Sequence, residues 1–215
     1  MRALVVRHAA LPTLVALSLV AAGCGAGSGR SGAGVGGAKD PQGCPAAWKQ
    51  GWQKLANRIH TPVYCPTWMP QPLNGKIAAP YAPQAYVQPD RSYLVSFIWA
   101  EPTGNVPYEV HVNFRGYPGR TTIPMCEDTV VSGRRVERPK IPCFADPHGT
   151  KHFGKIDATV YTANQGVDTW HILYAWRHDG SLYTVSEHVT PPNTYAHVVR
   201  NLDRITRTIS LVKPR

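Results

Sequence analysis

The sequence is short of acidic side chains and of long apolar runs. Its 215 residues include 13 Asp and Glu against 23 Lys and Arg, a formal charge of +10. The one apolar stretch that approaches membrane length lies at the N-terminus, which excludes a protein that crosses the membrane several times. The 20 prolines and 19 glycines disfavour an all-helical bundle, because each of them interrupts long helices. A composition of 43% hydrophobic and 17% charged residues is typical of a soluble globular domain.

Sequence motifs of catalysis are missing as well. The glycine-rich stretch lies in a segment that is not expected to fold, so it does not form a phosphate-binding loop. Ser186, Glu187 and His188 are adjacent in the sequence, but successive strand residues point to opposite faces and do not form a catalytic triad. The chain is therefore predicted to be non-enzymatic and to need no cofactor.

The N-terminus has the layout of an export signal. Arg2 and Arg7 precede a short apolar run that ends in small residues, Leu11 to Ala22, as in secretory signal peptides. The segment LVAAGC, which ends at Cys24, resembles the lipobox of bacterial lipoproteins. In that family the cysteine receives a diacylglycerol with fatty chains such as palmitate and becomes the first residue after cleavage. We expect a leader over residues 1–23; the alternative is an ordinary signal peptide that leaves Cys24 as an odd thiol.

A glycine-rich stretch follows the predicted lipid site. Residues 25–40 have almost no large apolar side chains and cannot bury enough surface to fold. Residues 24–40 are therefore predicted to be the lipidated end and a flexible tether, with a single globular domain over residues 41–215. Because two acyl chains make membrane attachment persistent, this domain is expected on the extracytoplasmic face of the cell membrane.

The charge of the exported domain indicates anionic partners. Residues 41–215 hold +7 of the formal charge. In the cytoplasm a basic domain would indicate nucleic acid, but export leaves anionic lipid, an acidic wall polymer or an envelope protein as partners. The alternative is that the charge serves solubility alone.

Two amphipathic helices are predicted, one near each end of the domain. After Pro45 an apolar stripe has helical spacing, and a second stripe follows an N-cap at Asn193 or Thr194. The two stripes consist of Trp48, Trp52, Leu55, Ala56 and Ile59, and of Val198, Leu202, Ile205 and Ile209. Residues 61–75 are rich in proline and are expected to run extended along the surface.

Alternating patterns predict strands between the helices. Residues 92–100 and 108–114 have strand patterns, and residues 168–177 and 182–189 flank Asp179-Gly180, a strong signal for a tight hairpin turn. Such a turn fixes the register and places His171 opposite His188. The predicted fold class is α+β, a single antiparallel sheet packed against the N-terminal and C-terminal helices and stapled by disulfides.

Two segments resemble those of known secreted proteins. They are TPVYCPTWMP (61–70) and WHILYAWRHDGSLYTVSEHV (170–189), with a strand pair between them and a helix after them. The pattern resembles uncharacterised secreted lipoproteins of high-GC Gram-positive, actinobacterial type. More distantly, it is similar to the extracellular sheet-and-helix domains of anti-sigma-type membrane proteins. The resemblance covers about residues 44–212, and the lipobox cysteine is the one functional residue that it implies.

Four cysteines remain when Cys24 is set aside, and an even number suits an oxidising compartment. Of the three pairings that four cysteines permit, we favour Cys44 with Cys65 and Cys126 with Cys143. The first bridge would fasten the first helix to the proline-rich segment, and the second would close a loop. That loop is a candidate basic contact surface because it contains Arg134, Arg135, Arg138 and Lys140.

Two histidine patterns offer metal sites as alternatives. Cys126, Cys143, His148 and His152 have superficially the spacing of a zinc site, but the short knuckle between its cysteines is missing and exported thiols oxidise. His171 opposite His188, with His111 on a neighbouring strand, can form an exposed imidazole cluster that binds a transition metal. Its alternative is a solvated polar face on which histidines meet by chance.

Two functions of different classes follow. The expected function is that of a membrane-anchored envelope lipoprotein, non-enzymatic, that contacts anionic lipid, a wall polymer or a protein partner. The alternative is a secreted metal-dependent or hydrolytic enzyme that uses His111, His171 and His188.

Overall fold

A six-stranded antiparallel sheet with two helices on one face organises the protein in the computed structural model. The structure describes residues 43–73, 87–101, 108–164 and 168–215. In chain order the elements are α1 (Ala46–Ile59), β1 (Val63–Cys65), β2 (Tyr93–Glu101), β3 (Tyr108–Tyr117), β4 (Met125–Glu127), β5 (Val130–Ser132), β6 (Arg135–Glu137), β7 (Lys140–Pro142), β8 (Phe144–Phe153), β9 (Ile156–Asn164), β10 (His171–His178), β11 (Ser181–His188), α2 (Tyr195–Thr208) and β12 (Ser210–Val212). The predicted leader, the lipid site at Cys24 and most of the tether lie outside the described residues.

The predicted fold class is wrong, because the chain is mostly β. Strands make up 47% of the structure. The large sheet has the order β2-β3-β11-β10-β9-β8, and the described residues also form three two-stranded sheets, β1-β12, β4-β7 and β5-β6. Strands β8 and β9 have no counterpart among the predicted elements. The predicted loop between Cys126 and Cys143 contains four short strands, and the proline-rich segment supplies β1.

The hairpin of β10 and β11 has the predicted register. His171 lies opposite His188, Tyr174 opposite Val185 and Trp176 opposite Tyr183. The turn residues Asp179 and Gly180 have φ of 45° and 69°, the left-handed values that a type I′ turn requires. Since side chains alternate along a strand, this register decides which residues face the helices.

Both helices pack on the same face of the large sheet. Helix α1 lies over β2 and β3, where the ring of Trp52 meets that of Phe114 edge-on at 5.9 Å. Helix α2 lies over β10 and β11, begins at an N-cap Thr194 whose side chain accepts a hydrogen bond from the His197 amide, and ends at Thr208, before the predicted Ile209. The core between helices and sheet includes Leu55, Ile59, Val112, Phe114, Tyr174, Trp176, Val185, Val198, Leu202 and Ile205. Neither helix in the described part of the chain is long and apolar enough to cross a membrane.

Both predicted disulfides are confirmed. Cys44 bridges to Cys65 with a Cα–Cα distance of 5.6 Å, which fastens the start of α1 to β1. Cys126 bridges to Cys143 with a Cα–Cα distance of 4.8 Å, which joins β4 to the residue before β8. The zinc alternative with His148 and His152 fails because both of its cysteines are oxidised.

A buried carboxyl group lies between β11 and α2. Glu187 is 0% exposed, and its Oε1 accepts a hydrogen bond of 2.8 Å from Nδ2 of Asn201. Burial raises the pKa of Glu187 to about 8, although the bond from Asn201 opposes the rise. Among the described residues, Oε2 has no hydrogen-bond partner. The carboxyl group is therefore protonated at neutral pH.

The variant Glu187→Gln tests this protonation through the pH dependence of stability. The folded-state pKa lies above the unfolded value of about 4.3, so the stability that the neutral carboxyl contributes is complete below about pH 4 and is lost as the pH rises through 8. The amide cannot ionise, so urea unfolding should show nearly equal stability near pH 4 and a variant more stable by up to about 5 kcal/mol near pH 9, the free energy that corresponds to this rise in pKa. The exposed control Glu127→Gln should keep the wild-type profile. Identical profiles for Glu187→Gln and wild type would contradict the assignment.

Candidate functional site

The face of the sheet turned away from the helices carries a row of polar side chains. On β3, the core-facing residues Val110, Val112 and Phe114 are buried, so the intervening residues Glu109, His111, Asn113 and Arg115 occupy the other face. The register places Asn113 opposite Ser186 and Arg115 opposite Thr184. Polar residues of β3, β10 and β11 therefore meet on one surface.

Asp168, just before β10, is the centre of the hydrogen bonds on this face. Its Oδ1 accepts from Nδ2 of Asn113 at 2.6 Å and from Nη2 of Arg115 at 2.9 Å. Its Oδ2 accepts from Nε of Arg115 at 3.2 Å and from Oγ of Ser186 at 2.8 Å. All these partners are donors, which requires an ionised carboxylate at this position.

The Asp168 and Arg115 side chains form a buried bidentate ion pair, with the Asp168 side chain 1% and the Arg115 side chain 18% exposed. Burial alone would raise the pKa of Asp168, but the hydrogen bonds and charge of Arg115 outweigh it and hold this pKa below its usual value. Burial likewise opposes the charge of Arg115, and Asp168 raises the pKa of Arg115. Each charge thus depends on its partner, as is typical of buried pairs.

The pair holds an unusual backbone segment between β9 and β10. Asp168 and Trp170 have φ of 49° and 64°, left-handed values that cost of order 1–3 kcal/mol for residues other than glycine. The Asp168 carbonyl accepts a hydrogen bond of 3.1 Å from Nδ2 of Asn164. The Trp170 side chain is 78% exposed, so apolar burial does not offset the strain. We infer that the hydrogen bonds of Asp168 offset the cost of this backbone conformation.

The structure brings the three candidate histidines together beside Asp168. The ring centroids of His111 and His171 are 4.4 Å apart, and the His188 ring lies 5.0 Å from each. Nε2 of His171 is 2.6 Å from Nε2 of His111. We call these three residues the imidazole cluster. The expected exposure is wrong, because His171 is only 5% exposed and His111 and His188 are half-buried.

The surroundings of the imidazole cluster fix where its protons lie. Nδ1 of His171 is 2.8 Å from the Thr169 carbonyl oxygen, which can only accept, so Nδ1 carries the proton and Nε2 a lone pair. Nδ1 of His111 is 2.9 Å from Oε1 of Glu109, within ion-pair distance though not aligned as a hydrogen bond. Burial lowers the pKa of His171 to about 4 and lowers the pKa of His111 against the opposing charge of Glu109.

Within the described residues, Ser186 is not paired with a base as a nucleophile would be. Its Oγ donates to Oδ2 of Asp168, whereas an activated serine hydroxyl is hydrogen-bonded to a general base such as histidine. Across the described ranges, no group of three or more His, Cys, Asp or Glu side chains is arranged to hold a metal ion as it stands. The alternative enzyme therefore has no nucleophile beside a base within these residues.

A second feature projects from the sheet next to the Cys126–Cys143 bridge. Strands β5 and β6 pair in an antiparallel hairpin, and every residue from 129 to 140 is exposed. Gly133 starts the turn with φ of 58°, as a type II′ turn requires. We call residues 129–140 the finger. It contains all four predicted basic contact residues, Arg134, Arg135, Arg138 and Lys140.

The finger is apolar as well as basic. Val131 and Val136 lie directly opposite each other on the two strands and are 66% and 58% exposed, and Val130 is 44% exposed. Among the four cations, Arg135 has an acidic partner within the described residues, Glu137 at 2.7 Å. Exposed valines on a hairpin this short are typical of an interaction surface.

Two shallow grooves border α1 and the C-terminal residues. One, of about 410 Å³, runs along α1 between Lys49, Lys54 and Arg215. The other, of about 530 Å³, lies between Cys44 and residues 210–215. Among the described residues, no Asp, Glu or His side chain lines either groove.

Several residues of the polar face have no counterpart in the sequence predictions. Asp168, Arg115, Asn113 and Ser186 form its hydrogen-bonded centre, yet Arg115 and Asp168 are 53 residues apart in the chain. The available signal was strand alternation, which places Asn113 and Arg115 on the face that was expected to be solvated.

Comparisons with known protein families, curated proteins and solved structures found no match to the chain.

The variant Asp168→Asn tests the central ion pair. An amide nitrogen would face donors of Asn113, Arg115 or Ser186, and Arg115 would remain buried without a counter-charge, so we expect a loss of about 3–5 kcal/mol in unfolding free energy at pH 7. Because the pKa of Asp168 is lowered in the folded state, wild-type stability should fall as the pH drops below about 4 and through that lowered value, and the variant should lack this contribution.

The matched control for this experiment is Asp157→Asn. Asp157 contacts His152 at 2.6 Å, but both side chains are more than two-thirds exposed, at 73% and 75%, so its loss should change stability by about 0.5 kcal/mol or less. Equal effects of the two substitutions in chemical denaturation would contradict the role of Asp168.

Proposed function

We propose that the chain is a non-enzymatic, lipid-anchored envelope protein whose finger contacts the anionic surface of the membrane. The observation that carries this proposal is the finger itself, in which three valines and four cations lie among twelve consecutive exposed residues. The lipobox at Cys24 supports attachment to the same membrane. Export and attachment remain sequence-based predictions.

The composition of the finger suits a lipid interface. Apolar side chains enter the boundary between headgroups and acyl chains, while Arg and Lys stay at the headgroup level. Each Lys or Arg near an anionic bilayer contributes about 1 kcal/mol. Val131 and Val136 provide the apolar contact. Arg134 and Arg138 form no salt bridge within the described residues, whereas Lys140 lies opposite Glu127 on the paired strands β4 and β7.

The base of the finger is braced against the sheet. Strands β4 and β7 pair directly below it, the Asp128 amide donates to the Pro139 carbonyl at 3.0 Å, and the Cys126–Cys143 bridge joins the two sides. A hairpin held in one conformation loses less entropy when it binds. These contacts at the base therefore favour a finger whose exposed valines and cations reach the membrane together.

Vesicle binding by the unlipidated chain tests the proposal. The Cys24→Ser chain should sediment with vesicles that contain phosphatidylglycerol and much less with pure phosphatidylcholine. Arg134→Glu with Arg135→Glu should weaken binding at least about 30-fold, since two contributions of about 1 kcal/mol are lost. Raising the salt concentration to about 1 M should weaken it too, because the Debye length falls to about 3 Å.

The matched control reverses two exposed cations of α2, Arg200→Glu with Arg207→Glu, and so changes the net charge by the same amount. This variant should keep most of the binding. Equal loss in both double variants would show that net charge alone matters, and an absence of binding to anionic vesicles would contradict the proposed function.

A further inference from the structure

We propose that His111, His171 and His188 form a binding site for a divalent transition-metal ion of the class that imidazole prefers, Zn²⁺ or Cu²⁺. This site lies on the polar face of the large sheet, apart from the finger, and the inference does not depend on the membrane contact. It rests on the way the three rings face one another.

The two closest nitrogens of the imidazole cluster form a contact that two neutral rings do not satisfy. The Thr169 carbonyl fixes a proton on Nδ1 of His171, so a neutral His171 presents the Nε2 lone pair to His111 at 2.6 Å. If His111 donated from Nε2 in its neutral form, its Nδ1 lone pair would lie 2.9 Å from the Glu109 carboxylate. Two neutral rings therefore leave one repulsive contact, and a cation shared by the two Nε2 atoms removes it.

The third ring, that of His188, has a buried nitrogen without a hydrogen-bond partner in the described residues. His188 stacks against His171 with an interplanar angle of 20° and against His111 with one of 30°. Its Nδ1 is buried and has no hydrogen-bond partner in the described part of the chain. Buried polar atoms without a partner are rare in folded proteins, and a bound ion is one of the recognised explanations.

The groups around the cluster match those around metal-bound histidines. Such histidines usually donate their second ring nitrogen to a carbonyl or carboxylate, which fixes the tautomer and orients the ring. Thr169 supplies the carbonyl to His171, and the Glu109 carboxylate lies at ion-pair distance from Nδ1 of His111, without an aligned hydrogen bond. Thr169 directly follows Asp168, so the hydrogen bonds of Asp168 also position the Thr169 carbonyl against His171.

Metal binding requires the rings to move apart by less than 1 Å. Two nitrogens at about 2.0–2.1 Å from one tetrahedral ion are about 3.3 Å apart, against 2.6 Å between the Nε2 atoms here. The His111 side chain is 17% exposed and His188 is half-buried, so side-chain rotation at this open edge can supply the movement. A water molecule would complete four-coordination.

Metal titration of the Cys24→Ser chain, purified without a histidine tag and stripped with a chelator, tests the site. We expect one Zn²⁺ per chain by calorimetry, a raised melting temperature, and a Cu²⁺ electron paramagnetic resonance spectrum with nitrogen hyperfine coupling. His171→Gln and His111→Gln should each weaken binding about tenfold or more. His152→Gln and His197→Gln, which change exposed imidazoles, should leave it unchanged.

The competing explanation is a proton shared by His111 and His171. Imidazole ¹⁵N chemical shifts distinguish the two, because a metal displaces that proton and moves the shifts of all three rings. Shifts that stay constant in excess Zn²⁺ would overturn the proposal, and so would binding that survives His111→Gln and is lost in His152→Gln. Circular dichroism confirms that each variant is folded, and His188→Gln provides a third test if one of the others is not.

Discussion

The polar face depends on one buried carboxylate. Asp168 accepts hydrogen bonds from Asn113, Arg115 and Ser186, which belong to two adjacent strands, and it does so from a left-handed backbone conformation. Because a buried charge is tolerated only when it is paired and hydrogen-bonded, the segment that enters β10 has one favourable position. That position places the Thr169 carbonyl against His171, so the geometry of the imidazole cluster follows from it.

The two faces of the large sheet have separate roles. The face under α1 and α2 is apolar and supplies most of the core, with Glu187 kept neutral at the contact with α2. The opposite face combines a small apolar cluster, which includes Phe144 and Leu173, with the polar face and the finger. Helices cover one side, so residues free to meet a membrane or a ligand lie on the other side and along its edges.

The sequence predicted those parts of the fold that local patterns determine. The apolar stripe from Trp52 to Ile59, the Asp179-Gly180 turn with its register, and both disulfides agree with the structure. The predicted fold class was wrong for two reasons. Strands of three residues are too short to show the alternation of apolar and polar residues by which strands are recognised, and in β8 this alternation is interrupted by Pro147 and by a break in register before Thr150. The role of Asp168 was not predictable, since its partners are distant in sequence and assembled by the sheet. The three histidines were predictable as neighbours, but their burial was not.

We propose that the finger is the surface through which the chain meets anionic lipid. Its most direct test is the depth of a nitroxide label attached at position 131 of the finger, compared with one at position 195 of α2, which is also exposed. When the unlipidated chain binds phosphatidylglycerol vesicles, the label at 131 should become accessible to oxygen and shielded from a water-soluble relaxation agent, while the label at 195 remains in water. A bound chain whose label at 131 stays in water would contradict the account.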